Sequence, residues 1–234
     1  MASAWSSAVA LCVLTVAATA HGAPAPLVHR QVLLAHSVEG RPIVAIESGD
    51  PRSGKNVLVV GCIHGNERAG VAVTQRLRAV KPPRGFDLWI VPYLNPDGAA
   101  HDTRTNAHGV DLNRNFPWRW QPLTGVYDSG PHALSEPESR IAYALIKRLK
   151  PAISIWFHQH LGVVDDSGGN PAIERRFARL VGLPVARLTR EPGSATTWEN
   201  HAFPTATAFV VELHAGWLTA ASAARYARAV LAVS

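Results

Sequence analysis

Four stretches of this chain are apolar at nearly every position: 56–63 (NVLVVGCI), 87–94 (DLWIVPYL), 152–157 (AISIWF) and 207–213 (TAFVVEL). Runs of this length without alternation predict strands covered on both faces. Pro92 marks the second run as ending early or irregular. Two shorter β-type runs, 31–36 and 43–47, flank Glu39-Gly40 and predict a hairpin, and 184–188 suits a short strand. Helical patterns fall between these runs. One covers 67–80, with Ala69, Val71, Val73, Leu77 and Val80 among its apolar positions. A second starts at Ser135-Glu136-Pro137-Glu138, read as a capping box, and runs to Lys150 before Pro151. Two more cover 171–181 and 220–233. Strands alternating with helices predict one α/β domain around a mixed, mostly parallel sheet.

The interval 95–134 fits neither period. A connection of this length inside a compact domain is commonly functional. It carries Asn95-Pro96-Asp97-Gly98, which is turn chemistry, then Arg104 and Asn113-Arg114-Asn115-Phe116.

Composition narrows the setting. The chain has 234 residues and is 47% apolar and 17% charged, enough for one sizeable core. Residues 7–20 are apolar and end in small residues, with Ala18-Thr19-Ala20 as a cleavage site and His21-Gly22-Ala23 as a second candidate. Residues 1–23 are therefore read as a signal peptide, with a retained membrane anchor as the alternative, and 24–234 as one folded domain. No basic residue precedes the apolar stretch, which departs from the usual leader. The expected location is secreted, periplasmic or cell-envelope, with no stable membrane span after cleavage. Cleavage leaves Cys62 as the one cysteine, so neither an internal disulfide nor a thiolate metal cluster is expected. The net charge of +6 favours anionic partners. No helix-turn-helix, zinc-finger or aromatic RNA-binding signature accompanies it, so nucleic acid is not an expected partner. Nothing in the sequence defines the oligomeric state.

Reactive residue types gather where the strands end. His64 and Glu67 follow the first apolar strand, His158 follows AISIWF, and Glu212 lies within FVVEL. Ligands of open α/β sheets bind at the carboxyl ends of strands, so these distant segments are expected to meet at one edge. An imidazole and a carboxylate separated by two residues suit zinc, and two His with one Glu form a catalytic set that keeps an open position. Alone, H-x-x-E is a weak signal, since a surface His before a helix-start Glu gives the same letters. His158 is the preferred third ligand, directly after its strand, with His160 the alternative. A carboxylate inside an apolar strand is costly to bury, so Glu212 needs a reason. It either pairs with an arginine or solvent, or serves as the base that a metal-activated water requires.

Together these residues resemble the zinc metallocarboxypeptidases of the carboxypeptidase A type, and within them the short murein peptide amidase-like branch. The resemblance runs from about residue 43 to the C-terminus. It is carried by HGNE at 64–67, NPDG at 95–98, Arg104, GVDLNRNF at 109–116, SEPE at 135–138, FHQHLG at 157–162, PGSATTW at 192–198 and VVEL at 210–213. It implies a sheet of eight strands between helices and one Zn²⁺ per chain, held by His64, Glu67 and His158. It further implies that Arg104 stabilises the oxyanion and that Asn113 and Arg114 hold a substrate carboxylate. Glu212 would take the proton of the attacking water and pass it to the leaving amine. The implied activity is hydrolysis of a peptide bond beside a residue with a free carboxylate, in murein peptides at the γ-D-glutamyl–diaminopimelate bond. Alternatives are a zinc-dependent deacylase of N-acyl amino acids and a non-catalytic cell-wall binding module. Diaminopimelate carries an extra ammonium and carboxylate, which makes Asp165, Asp166, Glu191 and Glu199 candidate partners of the leaving residue. Two departures stand out. No Tyr lies between Tyr143 and Tyr226, where carboxypeptidases carry a tyrosine that closes over substrate, and His160 occupies a position often held by Pro.

Overall fold

The computed structural model describes Met1 and residues 26–166, 168–189 and 191–234. The segment read as a leader lies, apart from Met1, outside the described residues.

The chain opens with the expected hairpin, β1 (Val28–His36) and β2 (Pro42–Gly49), paired antiparallel. Then come β3 (Asn56–Val60), α1 (Ala69–Arg78), β4 (Asp87–Val91), α2 (Pro96–His101) and α3 (Pro137–Leu149). β5 (Ile153–Asp165), α4 (Pro171–Val181), β6 (Val185–Ala186), α5 (Ala195–Ala202), β7 (Thr207–His214) and α6 (Ala220–Val233) complete it. The sheet order is β1-β2-β4-β3-β5-β6, with β7 paired to β5. β3 lies parallel to β4 and β5, while β2 meets β4 antiparallel, which makes the sheet mixed.

The sheet has seven strands among the described residues rather than the eight implied by resemblance. The reason lies in β5, which spans 13 residues where the sequence pattern marks only its first half. It pairs with β7 from Ile153 to His160, shifts register at His160/Leu161, and meets β7 again through Val163–Glu212 and Val164–Val211. One strand thus covers the length of two.

Alternation within β3 shows why these runs are continuously apolar. Val57 and Val59 join the layer formed with α1, α4 and α6, including Phe157, Phe177, Phe209, Val211 and Val230. Leu58 and Val60 face the opposite layer, with Trp156, Phe116, Leu145, Ile146 and Trp198. Both faces are buried, so neither register of polar residues is tolerated.

Element boundaries moved where a polar side chain took over. α1 begins at Ala69, not Glu67, because residues 64–67 form a turn closed by Glu67 N–H donating to the His64 carbonyl at 3.0 Å. The expected capping box is absent: Glu136 is the N-cap of α3, with Pro137 in its first turn and no side-chain cap. Ser135 Oγ instead donates to the Glu136 carboxylate at 2.7 Å. α5 begins inside PGSATTW and runs on to Ala202, a region with no pattern strong enough to mark a helix. It is started by Ser194, whose hydroxyl accepts from Thr197 N–H.

The long 95–134 connection contains one short helix and two single 3₁₀ turns, Leu112–Arg114 and Gly125–Tyr127. Buried polar side chains hold it where apolar periodicity fails. Asn115 donates to the Ser129 and His132 carbonyls and to Ser135 Oγ at 2.7–3.0 Å. Asp97 accepts from Ser37 Oγ, from Glu39 N–H and from Arg41 at 2.7–2.9 Å, tying α2 to the opening hairpin.

Candidate metal centre and substrate cleft

The HGNE turn leaves β3 at its carboxyl end and can form only because residue 65 is glycine. A Cβ there would lie 1.9 Å from the Gly98 carbonyl carbon, so the turn packs backbone to backbone against α2. His64 is thereby directed inward and Glu67 beside it. His158 arrives on β5, the strand adjacent to β3. The three residues form a candidate metal group. His64 Nδ1 lies 3.0 Å from Glu67 Oε1, His158 Nδ1 lies 3.0 Å from Glu67 Oε2, and the two Nδ1 atoms are 3.1 Å apart. Ligand atoms about 2.0–2.1 Å from a tetrahedral zinc lie about 3.3 Å from each other, so this triangle fits the ion. Two ring nitrogens facing each other with a carboxylate between them have no better common partner than a cation. Both imidazoles are buried, and Glu67 is 12% exposed, which leaves one open side.

Asp111 completes the support and escaped the sequence reading, although it sits within GVDLNRNF. It is fully buried, and its Oδ1 is 2.9 Å from His64 Nε2. Its Oδ2 accepts from Arg104 Nε at 2.9 Å, and Arg104 Nη1 donates to Glu67 Oε1 at 3.0 Å. A carboxylate on the far nitrogen of a ligating histidine fixes ring orientation and tautomer and raises basicity. Burial pushes Asp111 up, but the His64 imidazole and the Arg104 and Arg114 charges outweigh it and hold the carboxyl well below its usual range. Glu67 follows the same logic: burial opposes its charge, and the flanking imidazoles win. For His64 burial pulls the ring down, while Asp111 and Glu67 leave it raised. The signal that could have flagged Asp111 is an acidic residue shortly after Arg104 and His108, inside an irregular segment.

Glu212 stands opposite His158 in the β5–β7 register and lines the same cleft as His64, Glu67, His158, Arg104, Asn113 and Arg114. Its Oε2 is 3.4 Å from Leu161 N–H. The strand ends and the 95–134 connection therefore bring together the seven residues given metal, catalytic or carboxylate-binding roles in the sequence analysis. His160, the alternative ligand, is exposed and outside the metal group. His214 is also exposed. Cys62 is buried, donates to the His64 carbonyl, and burial pushes its thiol up to about 12, which leaves it inert as a nucleophile.

The arginines are fixed in advance. Arg114 is buried and donates to the Asn113 carbonyl at 2.9 Å, and Asn113 Oδ1 accepts from Ala195 N–H at 2.9 Å, locking the loop to α5. The Tyr127 ring faces both guanidinium groups, 5.3 Å from Arg104 and 5.4 Å from Arg114. Of the four acidic candidates for the leaving residue, Asp165 and Glu191 line the cleft. Asp166 pairs with Arg175 and Arg187. Glu199 is fully buried behind the wall, accepts from Ser154 Oγ, and burial pushes its carboxyl up to about 7.

A His-Glu-His zinc set at the strand ends of a mixed sheet, backed by a carboxylate, defines a zinc-dependent peptide hydrolase, and residues 23–164 match the zinc carboxypeptidase family; the chain belongs to that family. Among its relatives is the murein peptide amidase A of Escherichia coli K12, 29% identical over 178 residues that cover 69% of this chain and 73% of that protein. The same enzyme of Vibrio campbellii is 29% identical over 181 residues, 70% and 72% of the two chains. The crystal structure of the murein-tripeptide amidase of Escherichia coli O157 superposes with a TM-score of 0.72 at 26% identity, covering 91% of this chain and 93% of that one. Carboxypeptidase A of Helicoverpa armigera shares the fold at 20% identity, with a TM-score of 0.73 over 88% of this chain and 67% of its own. Among the described residues no helix is long and apolar enough to cross a membrane.

Proposed function

We propose that this protein is a murein peptide amidase that cuts the γ-D-glutamyl–diaminopimelate bond of cell-wall stem peptides, and that it works outside the cytoplasm in the cell envelope. The observation that carries this reading is the cleft in which the metal group, Glu212 and the Asn113–Arg114 pair converge. The similarity to murein peptide amidases over more than two thirds of each chain supports the substrate class. The apolar, Ala-rich N-terminus supports export.

His64, Glu67 and His158 would hold the zinc. When bound, the ion supplies Lewis acidity, polarising a carbonyl and lowering the pKa of water towards ~7. Arg114 and Asn113 receive the free carboxylate of the leaving residue, Arg114 through the planar fork that matches a carboxylate. Arg104 is anchored through Nε and Nη1 before substrate arrives, so its charge is already in place when the carbonyl oxygen becomes anionic. Glu212 accepts a proton from the attacking water and delivers it to the leaving amine. It lines the cleft with the metal group, opposite His158 in the β5–β7 register.

Incubation of the zinc-loaded protein with purified muropeptides tests the reading. Release of diaminopimelate-containing fragments is expected. Cleavage of ordinary α-linked peptides with intact muropeptides would overturn the substrate assignment, and turnover of N-acyl amino acids alone would point to a deacylase.

A further inference from the structure

Tyr127 stands outside the bond-breaking set and yet faces both of its arginines. It ends the 3₁₀ turn Gly125–Tyr127, and that turn is tied to the metal support. Asp128 N–H donates to the Gly125 carbonyl at 3.1 Å, and Asp111 N–H donates to the Asp128 carbonyl at 2.7 Å. Ser129 Oγ accepts from Leu123 N–H at 2.9 Å and donates to the Gln121 carbonyl at 2.8 Å, so the backbone on either side of Tyr127 is fixed. The side chain is 49% exposed, and its phenol makes no hydrogen bond to a described residue. What it presents to the protein is the face of its ring. The ring centre lies 5.3 Å from the Arg104 guanidinium carbon and 5.4 Å from that of Arg114. Both distances fall within the ~6 Å reach of cation–π attraction.

The two arginines are held unequally. Arg104 is anchored by two carboxylates, through Nε to Asp111 at 2.9 Å and through Nη1 to Glu67 at 3.0 Å. Arg114 has one short bond, from Nη1 to the carbonyl of its neighbour Asn113 at 2.9 Å. The Glu191 carboxylate lies 3.9 Å from its Nη2 and is 44% exposed, and a loose exposed pair of that kind contributes little. A single bond to the preceding carbonyl fixes one corner of the guanidinium and leaves its plane free to swing. A planar fork receives a carboxylate through two parallel bonds only when that plane is set. We propose that Tyr127 is a positioning residue, whose ring sets the plane of the Arg114 fork and keeps it in register with Arg104. The free carboxylate and the reacting carbonyl of one substrate are then received at a fixed separation. The inference rests on the roles proposed above for the two arginines and deepens them, and it is independent of the linkage that is cut. The electron-rich face also offsets the repulsion between two cations gathered at one place. Because Arg104 is already anchored twice, loss of the ring falls mainly on Arg114, and so on reception of the carboxylate more than on the bond-breaking step.

The experiment uses the zinc-saturated full chain and paired substrates whose leaving residue carries either a free α-carboxylate or its carboxamide. Each pair is offered in a γ-D-glutamyl linkage and in an ordinary α-peptide linkage, and variants are compared in whichever the unaltered enzyme cuts. Tyr127→Leu keeps an apolar side chain and removes the ring. It should raise KM for the carboxylate substrate about tenfold, leave kcat within about threefold, and change kcat/KM for the carboxamide by no more than about threefold. Tyr127→Phe keeps the face and loses only the hydroxyl, so it should stay within about twofold of the parent on both substrates. Phenylalanine with one, two or three ring fluorines at position 127 keeps nearly the same shape while its π face weakens. KM for the carboxylate should climb stepwise along that series. The series also carries the test if the leucine variant does not fold. A Tyr127→Phe enzyme as impaired as Tyr127→Leu would overturn the role of the ring, as would a flat fluorine series. An equal loss on carboxylate and carboxamide would overturn the link to Arg114. If α-linked peptides show the expected pattern while γ-linked ones stay intact, the role of Tyr127 stands and the linkage assignment falls.

Discussion

Asp111 illustrates how much of this site is decided by single polar atoms. It grips His64 on one oxygen and Arg104 on the other, so one buried carboxylate sets both a metal ligand and the oxyanion partner. Asp111→Asn should weaken zinc binding about 10- to 100-fold, measured by competition with a chromogenic chelator. A variant that binds zinc as tightly as the parent would show that the carboxylate does not orient His64. Arg104→Ala should reduce kcat of the zinc-saturated enzyme by about 10²–10³. Glu212→Gln should cost more than Arg104→Ala, because it removes the proton acceptor while leaving the shape of the strand end intact. Steady-state kinetics on zinc-saturated variants checks both, and near-normal turnover by Glu212→Gln would remove it from the mechanism. Tyr127 is a residue that no sequence pattern marked. Its ring lies over both arginines, from a segment far from where a closing tyrosine is expected in carboxypeptidases.

At the scale of elements, the site depends on a turn and a helix start. α1 begins at Ala69 because HGNE must remain a turn, with Glu67 beside His64 and not on the helix surface. The close approach of residue 65 to Gly98 makes that turn a backbone contact between two segments distant in sequence. Gly65→Ala should therefore displace the turn and abolish stoichiometric zinc binding, even if the purified protein retains its overall helix content by circular dichroism. Full zinc occupancy in that variant would show that the contact yields easily. α5 has the same logic from the other side of the cleft: Ser194 starts it, Asn113 accepts from its first N–H, and Thr196 and Thr197 then form the cleft wall.

For the whole molecule, the zinc group joins β3 to β5 and the long connection to the sheet edge. Removal of the ion by a chelator should abolish hydrolysis and lower Tm, both restored by added zinc, because a ligand held only by the folded state stabilises it. A second whole-molecule property comes from Glu174, which is fully buried on α4 with neither oxygen paired among the described residues. Burial, reinforced by the nearby Asp165 and Asp166, pushes its carboxyl up to about 8. In the unfolded chain the same group titrates near ~4.3. Between those values the folded protein holds a proton that the unfolded chain has lost, so this contribution is full at low pH and declines as pH rises to about 8. Glu174→Gln should flatten that decline, seen as a smaller fall in Tm between about pH 5 and about pH 8. Parallel curves for the two proteins would contradict the buried, protonated state.

The sequence by itself determined the strands and most helices, because a strand covered on both faces needs an unbroken apolar run and an amphipathic helix needs its period. α4 and α6 fall where their patterns place them. It also determined the ligand set and the carboxylate of β7, because such groups are conspicuous at the ends of apolar strands. Tertiary structure alone decided three matters. It extended β5 into a second pairing with β7, since register depends on a partner strand and not on composition. It recruited Asp111, because a buried acid in an irregular segment has no local signature until His64 and Arg104 are brought to it. It also separated four equivalent acidic candidates, turning Asp165 and Glu191 to the cleft while Asp166 and Glu199 found partners elsewhere, since which way a side chain faces is set by packing between distant segments.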